Sequence, residues 1–312
     1  MRPFLGNYPL ATSKHPCYII GMSKPKAPTL RQFQLRFPTE ESCLDHLMRT
    51  RYGARHDCGG CDREASFYRV KARRSFACEH CGYQVYPTAG TPFERTRTPL
   101  RDWFFVMFQF CASRNGVAAK AVERQLGVTY KTAWRMCHAI REYMGAVDGD
   151  DPIGGFTKHV EVDETFLGGY EAGMLGGKGK TVVMGMMERG GDIITKVVPD
   201  RRSATLLPLV RSNVRQHTIV HTDEHKAYGG LPTLGFFHET TNHRTGEYVS
   251  SNGSTVNSVE GFWANLKRGI NGTHIHVSPR HLPKYLAEFE YHWNMRSAPS
   301  AMLDRLMVSF AR

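Results

Sequence analysis

Two closely spaced cysteine pairs constrain this sequence more than any other feature. They form the pattern C-x2-C-x16-C-x2-C, whose members are Cys58, Cys61, Cys78 and Cys81. Each C-x2-C turn presents two thiolates on one side of a tight loop, and two facing turns make a tetrahedral four-sulfur site that suits Zn²⁺. Because protein ligands would fill every position around that ion, we predict one structural Zn²⁺. The surrounding residues 36–97 are predicted to form a zinc ribbon.

The remaining cysteines and the first residues of the chain indicate the cellular compartment in which the protein is expected. The chain has eight cysteines, and Cys111 and Cys137 lie among apolar residues that favour a place in a core. The first residues contain several prolines and no long apolar segment, so a secretory signal is not expected. Paired cysteines without such a signal indicate metal in a reducing compartment rather than disulfides. We predict a cytoplasmic protein, nucleoid-associated when bound to DNA, with a basic flexible tail over residues 1–35.

The charge of the chain favours a polyanionic partner. Lys and Arg exceed Asp and Glu by 12, and nucleic acid is the usual partner of such a protein. A membrane surface or an acidic protein is the alternative on charge alone. No apolar run approaches the roughly 18–20 residues of a membrane span, so we expect no transmembrane segment.

A helical region over residues 98–148 predicts a helix-turn-helix. The stretch 117–126 has an apolar face, Gly127 marks a turn, and Thr129 can cap the next helix. In a DNA complex the groove would be faced by Tyr130, Lys131 and Arg135. The alternative is a helical hairpin that serves only for packing. A stretch rich in Gly and Asp, residues 145–155, is typical of a linker.

Alternating and apolar stretches after this linker predict a sheet. Strands are expected near 159–169, around a hairpin at 181–200, and at 218–223, with a helix at 203–214. A later helix begins near residue 257. We predict that residues 149–312 form an α/β catalytic domain of the ribonuclease H-like type, with a mixed sheet flanked by helices.

Three acids occupy the positions that this fold uses for catalysis. Asp163 and Asp223 lie on two of the strands, and Glu260 lies on the later helix. Carboxylates are the hard ligands required by two Mg²⁺ or Mn²⁺ ions about 4 Å apart. One ion would activate a water or sugar hydroxyl, and the other would stabilise the leaving oxygen of a phosphodiester.

The helix that carries Glu260 has one apolar stripe. At about 100° per residue, Glu260 and Lys267 lie together at the border of this stripe. Seven residues separate them, which is too far for a helical ion pair, so Lys267 is expected to reach a phosphate, with Arg268 beside it. Asn257 is the alternative third ligand, although its position favours capping the helix.

Several motifs resemble those of one transposase family. "VEVDETFLGGY", "HTDEHKAYGGL", "NSVEGFWANLKRGINGTHIHVS" and "HLPKYLAEFEYHWNMR" are similar to insertion-sequence transposases of the IS1595 type, which have an ISXO2-like DDE domain. The segment with the cysteine pairs resembles the zinc ribbon of those enzymes. The resemblance implies cleavage at terminal inverted repeats and strand transfer into target DNA, in bacteria or archaea. It also implies that Asp163, Asp223 and Glu260 hold the metal, followed by Lys267 as a basic residue.

Three functions are compatible with these features. The first is a metal-dependent DNA transposase, expected to act on DNA as a homodimer or higher oligomer. The second is a DNA-binding regulator without enzymatic activity, which would use the ribbon and the helix-turn-helix beside a degenerate catalytic domain. The third is an RNase H-like nuclease that cuts without strand transfer.

Overall fold

The chain folds as two compact units. A computed structural model describes residues 26–149, 151–168, 179–241 and 256–310. The first unit combines the chain up to Ala112 with Met295–Arg312, and the second is Ser113–Asn294. This division differs from the predicted boundaries at 97 and 148, because the predicted helical region is shared between the units. Most of the predicted tail lies outside the described residues, but its last part is helical.

The first unit begins with two capped helices. Helix α1 (Leu30–Arg36) follows Thr29 and helix α2 (Glu40–Tyr52) follows Thr39, and each threonine hydroxyl accepts a hydrogen bond from the third backbone N–H of its helix. Five short strands then surround the cysteine pairs: β1 (His56–Asp57), β2 (Glu64–Ala65), β3 (Phe67–Val70), β4 (Ser75–Cys78) and β5 (Gln84–Val85). Strands β1 and β2 form a hairpin, and β3, β4 and β5 form an antiparallel sheet.

Two further helices complete the first unit. Helix α3 (Leu100–Ala112) and helix α9 (Met302–Phe310) contribute buried aromatic residues, among them Trp103 and Phe310, which both contact Phe93. The side chain of Glu40 accepts hydrogen bonds from the first backbone N–H groups of α3, at 3.0 and 3.1 Å. Its carboxylate therefore links α2 to the N-terminus of α3.

The second unit is built on a mixed sheet. In the described part of the chain this sheet contains β6 (His159–Leu167), β7 (Thr181–Glu188), β8 (Ile193–Val198), β9 (Ile219–Asp223) and β10 (Phe237–Thr241). The strand order is β10-β9-β6-β7-β8. Strands β6, β7 and β8 are antiparallel neighbours, whereas β9 and β10 run parallel to β6. The predicted hairpin and strands are therefore present.

Helices cover both faces of this sheet. Helix α6 (Ser203–Asn213) packs on the face that presents Val160, Val162 and Met184. The opposite face is covered by helix α7 (Asn257–Gly269) and helix α8 (Leu282–Asn294). The predicted mixed sheet flanked by helices is confirmed.

Two helices precede the sheet in the second unit. Helix α4 (Ala119–Leu126) ends at Gly127, whose φ of 66° is left-handed, and helix α5 (Tyr130–Asp148) starts after the predicted cap Thr129. Because α5 continues to Asp148, the first part of the predicted linker is helical. Helix α5 is joined to α8 by a fully buried ion pair, in which the guanidinium of Arg141 donates to Glu288 at 2.7 Å. Within the described residues, no helix is sufficiently long and apolar to cross a membrane.

Candidate active site and zinc centre

The four paired cysteines converge on one point in the first unit. Their Sγ atoms all lie within 4.8 Å of one another, with 3.5 Å between Cys58 and Cys81 and 4.0 Å between Cys61 and Cys78. A tetrahedral ion with Zn–S bonds of about 2.3 Å requires S–S separations of about 3.8 Å. The thiolate set therefore fits a structural Zn²⁺, as its spacing predicts.

The two cysteine turns share the same backbone design. The N–H of the residue after each pair donates to the carbonyl of the first cysteine, from Asp62 at 2.8 Å and from Gly82 at 3.0 Å. Both residues have a positive φ, and the backbone N–H groups of Gly60 and His80 donate to Sγ atoms. Local hydrogen bonds thus orient the thiolates before any contact with the rest of the chain is needed.

Strand register brings two predicted acids side by side in the second unit. Strands β6 and β9 pair in parallel, and their last matched residues are Glu161 and His221. Two residues further along each strand are Asp163 and Asp223, which therefore occupy equivalent positions on neighbouring strands. Side chains alternate along a strand, so both aspartates belong to the face covered by α7.

The electrostatics of Asp163 reflect a crowded, desolvated carboxylate. Burial, followed by the charges of Glu164 and Asp223, raises the pKa of Asp163 to about 7. Hydrogen bonds from the backbone of Glu164 and from the indole of Trp263 oppose this shift. Clustered carboxylate oxygens that repel one another suit a hard divalent cation, which would offset the repulsion.

Helix α7 is attached to this part of the sheet by Trp263. Its indole Nε1 donates to Oδ2 of Asp163 at 3.0 Å. The ring lies over Gly185, the residue of β7 that pairs with Asp163. A Cβ at Gly185 would lie 2.6 Å from the Trp263 ring, so only glycine leaves room for the indole. This glycine in the middle of an apolar strand was a signal that sequence reasoning missed.

A second attachment is made by Glu161 at the start of α7. This fully buried carboxylate accepts hydrogen bonds from the backbone N–H groups of Ser258 and Val259, at 2.8 and 3.1 Å. It also pairs with Arg189 at 2.9 Å. The prediction that Asn257 caps the helix is wrong, since Val256 occupies the N-cap position and the cap comes from the neighbouring strand.

The third predicted acid is placed differently from the two aspartates. Glu260 is exposed in the first turn of α7, three residues before Trp263, and Asn257, the first residue of that helix, is exposed as well. Among the described residues, only the cysteine set gathers three or more ligand atoms within 4.8 Å of one another. The acids are therefore not drawn together to that extent, although the helix that carries Glu260 is fixed against Asp163.

Comparison with known proteins identifies the family of the chain. Residues 153–294 match the ISXO2-like transposase domain, and residues 38–84 match the transposase zinc-ribbon domain. An uncharacterized transposase-like protein of Haemophilus influenzae is 35% identical over 105 residues, which cover 33% of this chain and 80% of that protein. The chain belongs to the IS1595 transposase family. A protein in the transposable element ISH50 of Halobacterium salinarum is 26% identical over 281 residues, covering 81% of this chain and 90% of that protein.

The IS1595-family chain also has a buried acid that the sequence did not indicate. Glu164 follows Asp163 on β6, and its side chain is 2% exposed. It accepts a hydrogen bond from the hydroxyl of Tyr228 and lies 3.7 Å from the guanidinium of Arg201. Burial raises the pKa of Glu164, and the charge of Asp223 adds to that shift. Tyr228 and Arg201 therefore hold this carboxylate on the face of β6 opposite to that of Asp163.

The predicted DNA-contacting residues lie at the surface of this transposase-family fold. Tyr130 and Lys131 are exposed in the first turn of α5, and Arg135 is exposed one turn later. The ammonium of Lys120 lies 5.0 Å from the centre of the Tyr130 ring. Lys267 and Arg268 are both exposed in the last turn of α7. The opposite side of α5, which includes Ala133, Met136 and Ile140, is buried.

Proposed function

We propose that this chain is a DNA transposase that binds the terminal inverted repeats of an insertion sequence. It would carry out metal-dependent phosphodiester hydrolysis followed by strand transfer. The observation that carries the proposal is the equivalent placement of Asp163 and Asp223 on neighbouring parallel strands, with α7 tied to Asp163 through Trp263. The order and directions of the strands support assignment of the second unit to the ribonuclease H-like type.

Divalent cations fit the acidic site by their ligand chemistry. Asp163, Asp223 and Glu260 would hold them, and the crowding that raises the pKa of Asp163 supports a cation there. Bound Mg²⁺ or Mn²⁺ would supply activation of the attacking oxygen and stabilisation of the leaving oxygen. Trp263 orients the Asp163 carboxylate, while Glu161 fixes the end of α7 from which Glu260 extends.

Contacts to DNA are assigned to two surfaces. Helices α4 and α5 with the turn at Gly127 have the form of a helix-turn-helix, in which Tyr130, Lys131 and Arg135 would face the groove. Lys267 and Arg268 extend from the helix of the third acid and would contact backbone phosphates near the reacting strand. The excess of basic residues supports this binding. The zinc ribbon would have a structural ion, and assembly on paired ends would require two or more chains.

One observation favours a second function. Glu260 is exposed, and the acids are not gathered as tightly as the cysteines. A regulator that binds DNA without cutting it would require no closer arrangement. Cleavage assays with acid variants separate that function from catalysis.

The experiment is cleavage of duplexes that carry the termini of the element encoding this chain, with Mg²⁺ as the cation. We expect Asp163→Asn, Asp223→Asn and Glu260→Gln each to lower the rate about a thousandfold, because each removes one charged metal ligand. Glu142→Gln, at an exposed acid of α5, is the matched control and should cleave like the parent protein. Asn257→Ala tests the alternative third ligand.

Two results would contradict the proposal. If the three acid variants cut as fast as the parent protein, the catalytic assignment is wrong. If the parent protein binds the termini but never cuts them in Mg²⁺ or Mn²⁺, the regulator is the better description. A loss of cleavage in Asn257→Ala with full activity in Glu260→Gln would move the third ligand to Asn257.

A further inference from the structure

Ile275 is held in an unusual conformation at the surface of the second unit. It is 83% exposed, the largest exposed fraction among the big apolar side chains in the described part of the chain. Its φ of 65° and ψ of −54° place it at the centre of a γ-turn, closed by a 2.7 Å hydrogen bond from the N–H of His276 to the carbonyl of His274. A γ-turn with positive central φ is rare and strained, and a β-branched residue is an outlier there.

The strained turn is anchored on both sides. It follows a π-helical turn, Ile270–His274, that continues directly from α7, and Ile270 is buried. The ring of His274 packs against Tyr285 with centroids 4.8 Å apart, and its Nε2 fills the space beside Gly116. On the other side Val277 is buried. The neighbours therefore hold Ile275 outward in one geometry, and packing among the described residues does not account for an isoleucine there.

The sequence on both sides of Ile275 is basic. From Gly261 to Ala287 the sequence contains no Asp or Glu. Lys267, Arg268 and Arg280 are exposed within this stretch. A single apolar side chain among cations suits duplex DNA, where phosphates surround an apolar base stack. A membrane surface fits less well, because binding to it requires a much larger apolar face than one isoleucine.

We propose that Ile275 is a wedge that inserts between base pairs of the bound DNA end and unstacks them. This inference deepens the proposed transposase function and rests on it. Apolar side chains such as isoleucine open base steps in this way, at the cost of lost stacking. Because the strained turn is anchored on both sides, Ile275 already projects from the surface before DNA binds. The loop therefore does not have to rearrange.

The decisive variant is Ile275→Gly, compared with the parent protein and with Phe156→Ala, which alters another apolar side chain, 77% exposed, of the same unit. Glycine accepts the positive φ, so the thermal midpoint should not fall. The probes are terminal duplexes that each contain one fluorescent adenine analogue, quenched by stacking, at a different base step of the end. Binding is measured in Ca²⁺, without cleavage. We expect the parent protein and Phe156→Ala to raise the fluorescence, and Ile275→Gly to bind without raising it.

Cleavage in Mg²⁺ provides the second measurement. Ile275→Gly should cut the fully paired end about tenfold more slowly, and a mismatch at the base step that gave the fluorescence rise should restore most of the rate, because the unstacking cost is then already met. Ile275→Leu should retain both the fluorescence change and the rate.

The outcomes separate this inference from the proposed function. An equal fluorescence rise with Ile275→Gly, no rise with the parent protein, or no rescue by the mismatch overturns the wedge. Binding of the parent protein to anionic vesicles that is lost in Ile275→Gly, without any change on DNA, would assign Ile275 to a membrane instead. A fluorescence rise specific to the parent protein, without cleavage by it, supports the wedge but contradicts the transposase reaction.

Discussion

In the first unit four thiolates lie within 4.8 Å of one another, whereas in the second unit two of the three predicted acids share neighbouring positions and the third is exposed. The cysteine turns are closed by hydrogen bonds between residues at most five apart in sequence. The acids come from two strands and a helix, and their charges repel. Local backbone geometry can thus shape each pair of soft ligands, while the like-charged acids depend on supports from distant segments such as Glu161 and Trp263.

The largest effect is expected when one thiolate is removed. Cys78→Ser should lower the zinc content from about one ion per chain to near zero and unfold the ribbon, since zinc binding contributes roughly 10–16 kcal/mol in small zinc domains. Metal analysis and thermal melting measure both changes. Cys111→Ala, at a buried cysteine outside the set, is the control and should retain the ion. A Cys78→Ser protein with the full zinc content would refute the assignment.

At the acidic site, removal of one ligand should raise the stability of the metal-free protein rather than lower it. The pKa of Asp163 is raised from 3.8 to about 7, so the folded state binds more protons than the unfolded state between those values. The free energy of unfolding of the metal-free protein should therefore fall as the pH rises from 4 to 7, by roughly 2–4 kcal/mol from this group. Asp163→Asn should remove that fall and be more stable than the parent protein at pH 8.

Denaturant titrations at several pH values, with and without Mg²⁺, test this prediction. Mg²⁺ should stabilise the parent protein more than Asp163→Asn, because only the parent retains the charged ligand. The exposed-acid variant Glu142→Gln should follow the parent curve. If Asp163→Asn is less stable than the parent protein at pH 8 without metal, the carboxylate stabilises the fold. The proposed contrast between the thiolate site and the acidic site is then wrong.

The smallest effects concern the two carboxylates that cap helices from another element. Glu161→Gln should lower the free energy of unfolding by roughly 1–3 kcal/mol, because the amide replaces a fully buried carboxylate that accepts hydrogen bonds from Ser258, Val259 and Arg189. Glu40→Gln should cost only about 1 kcal/mol, since its side chain is 32% exposed and its partners regain water. Chemical denaturation of both variants provides the measurement. Equal losses of unfolding free energy in the two variants would mean that the stabilisation by such a carboxylate does not depend on its burial.

The sequence predicts best what is encoded over short distances. Cysteine spacing indicates the ribbon site, and alternation of apolar residues indicates the strands that carry Asp163 and Asp223. Thr129 is recognisable as a cap because its partner, the N–H of Thr132, lies three residues away. In the last two cases the signal lies within one regular element, and in the first each pair of thiolates belongs to one short turn.

Features that depend on register or on distant segments were not predictable. Glu161 caps a helix that begins almost 100 residues later, and no local signal separates it from a surface acid of β6. The contact between Trp263 and Asp163 also has no local signal in the sequence, apart from Gly185 in β7, which leaves room for the indole. The division into two units also depends on distant segments, since helix α9 returns to the first unit from the end of the described chain. The role of Glu260 stays a prediction.

The placement of α9 has a consequence for how the chain is made. Phe310 packs against Phe93, and Arg36 of α1 pairs with Asp304, so residues from both ends of the described chain share one core. During synthesis, everything from Ser113 to Asn294 must leave the ribosome before α9 can close that core. The unit whose first residues are translated earliest is thus completed last, and until then Phe93 and Trp103 lack the ring of Phe310 that covers them in the folded protein.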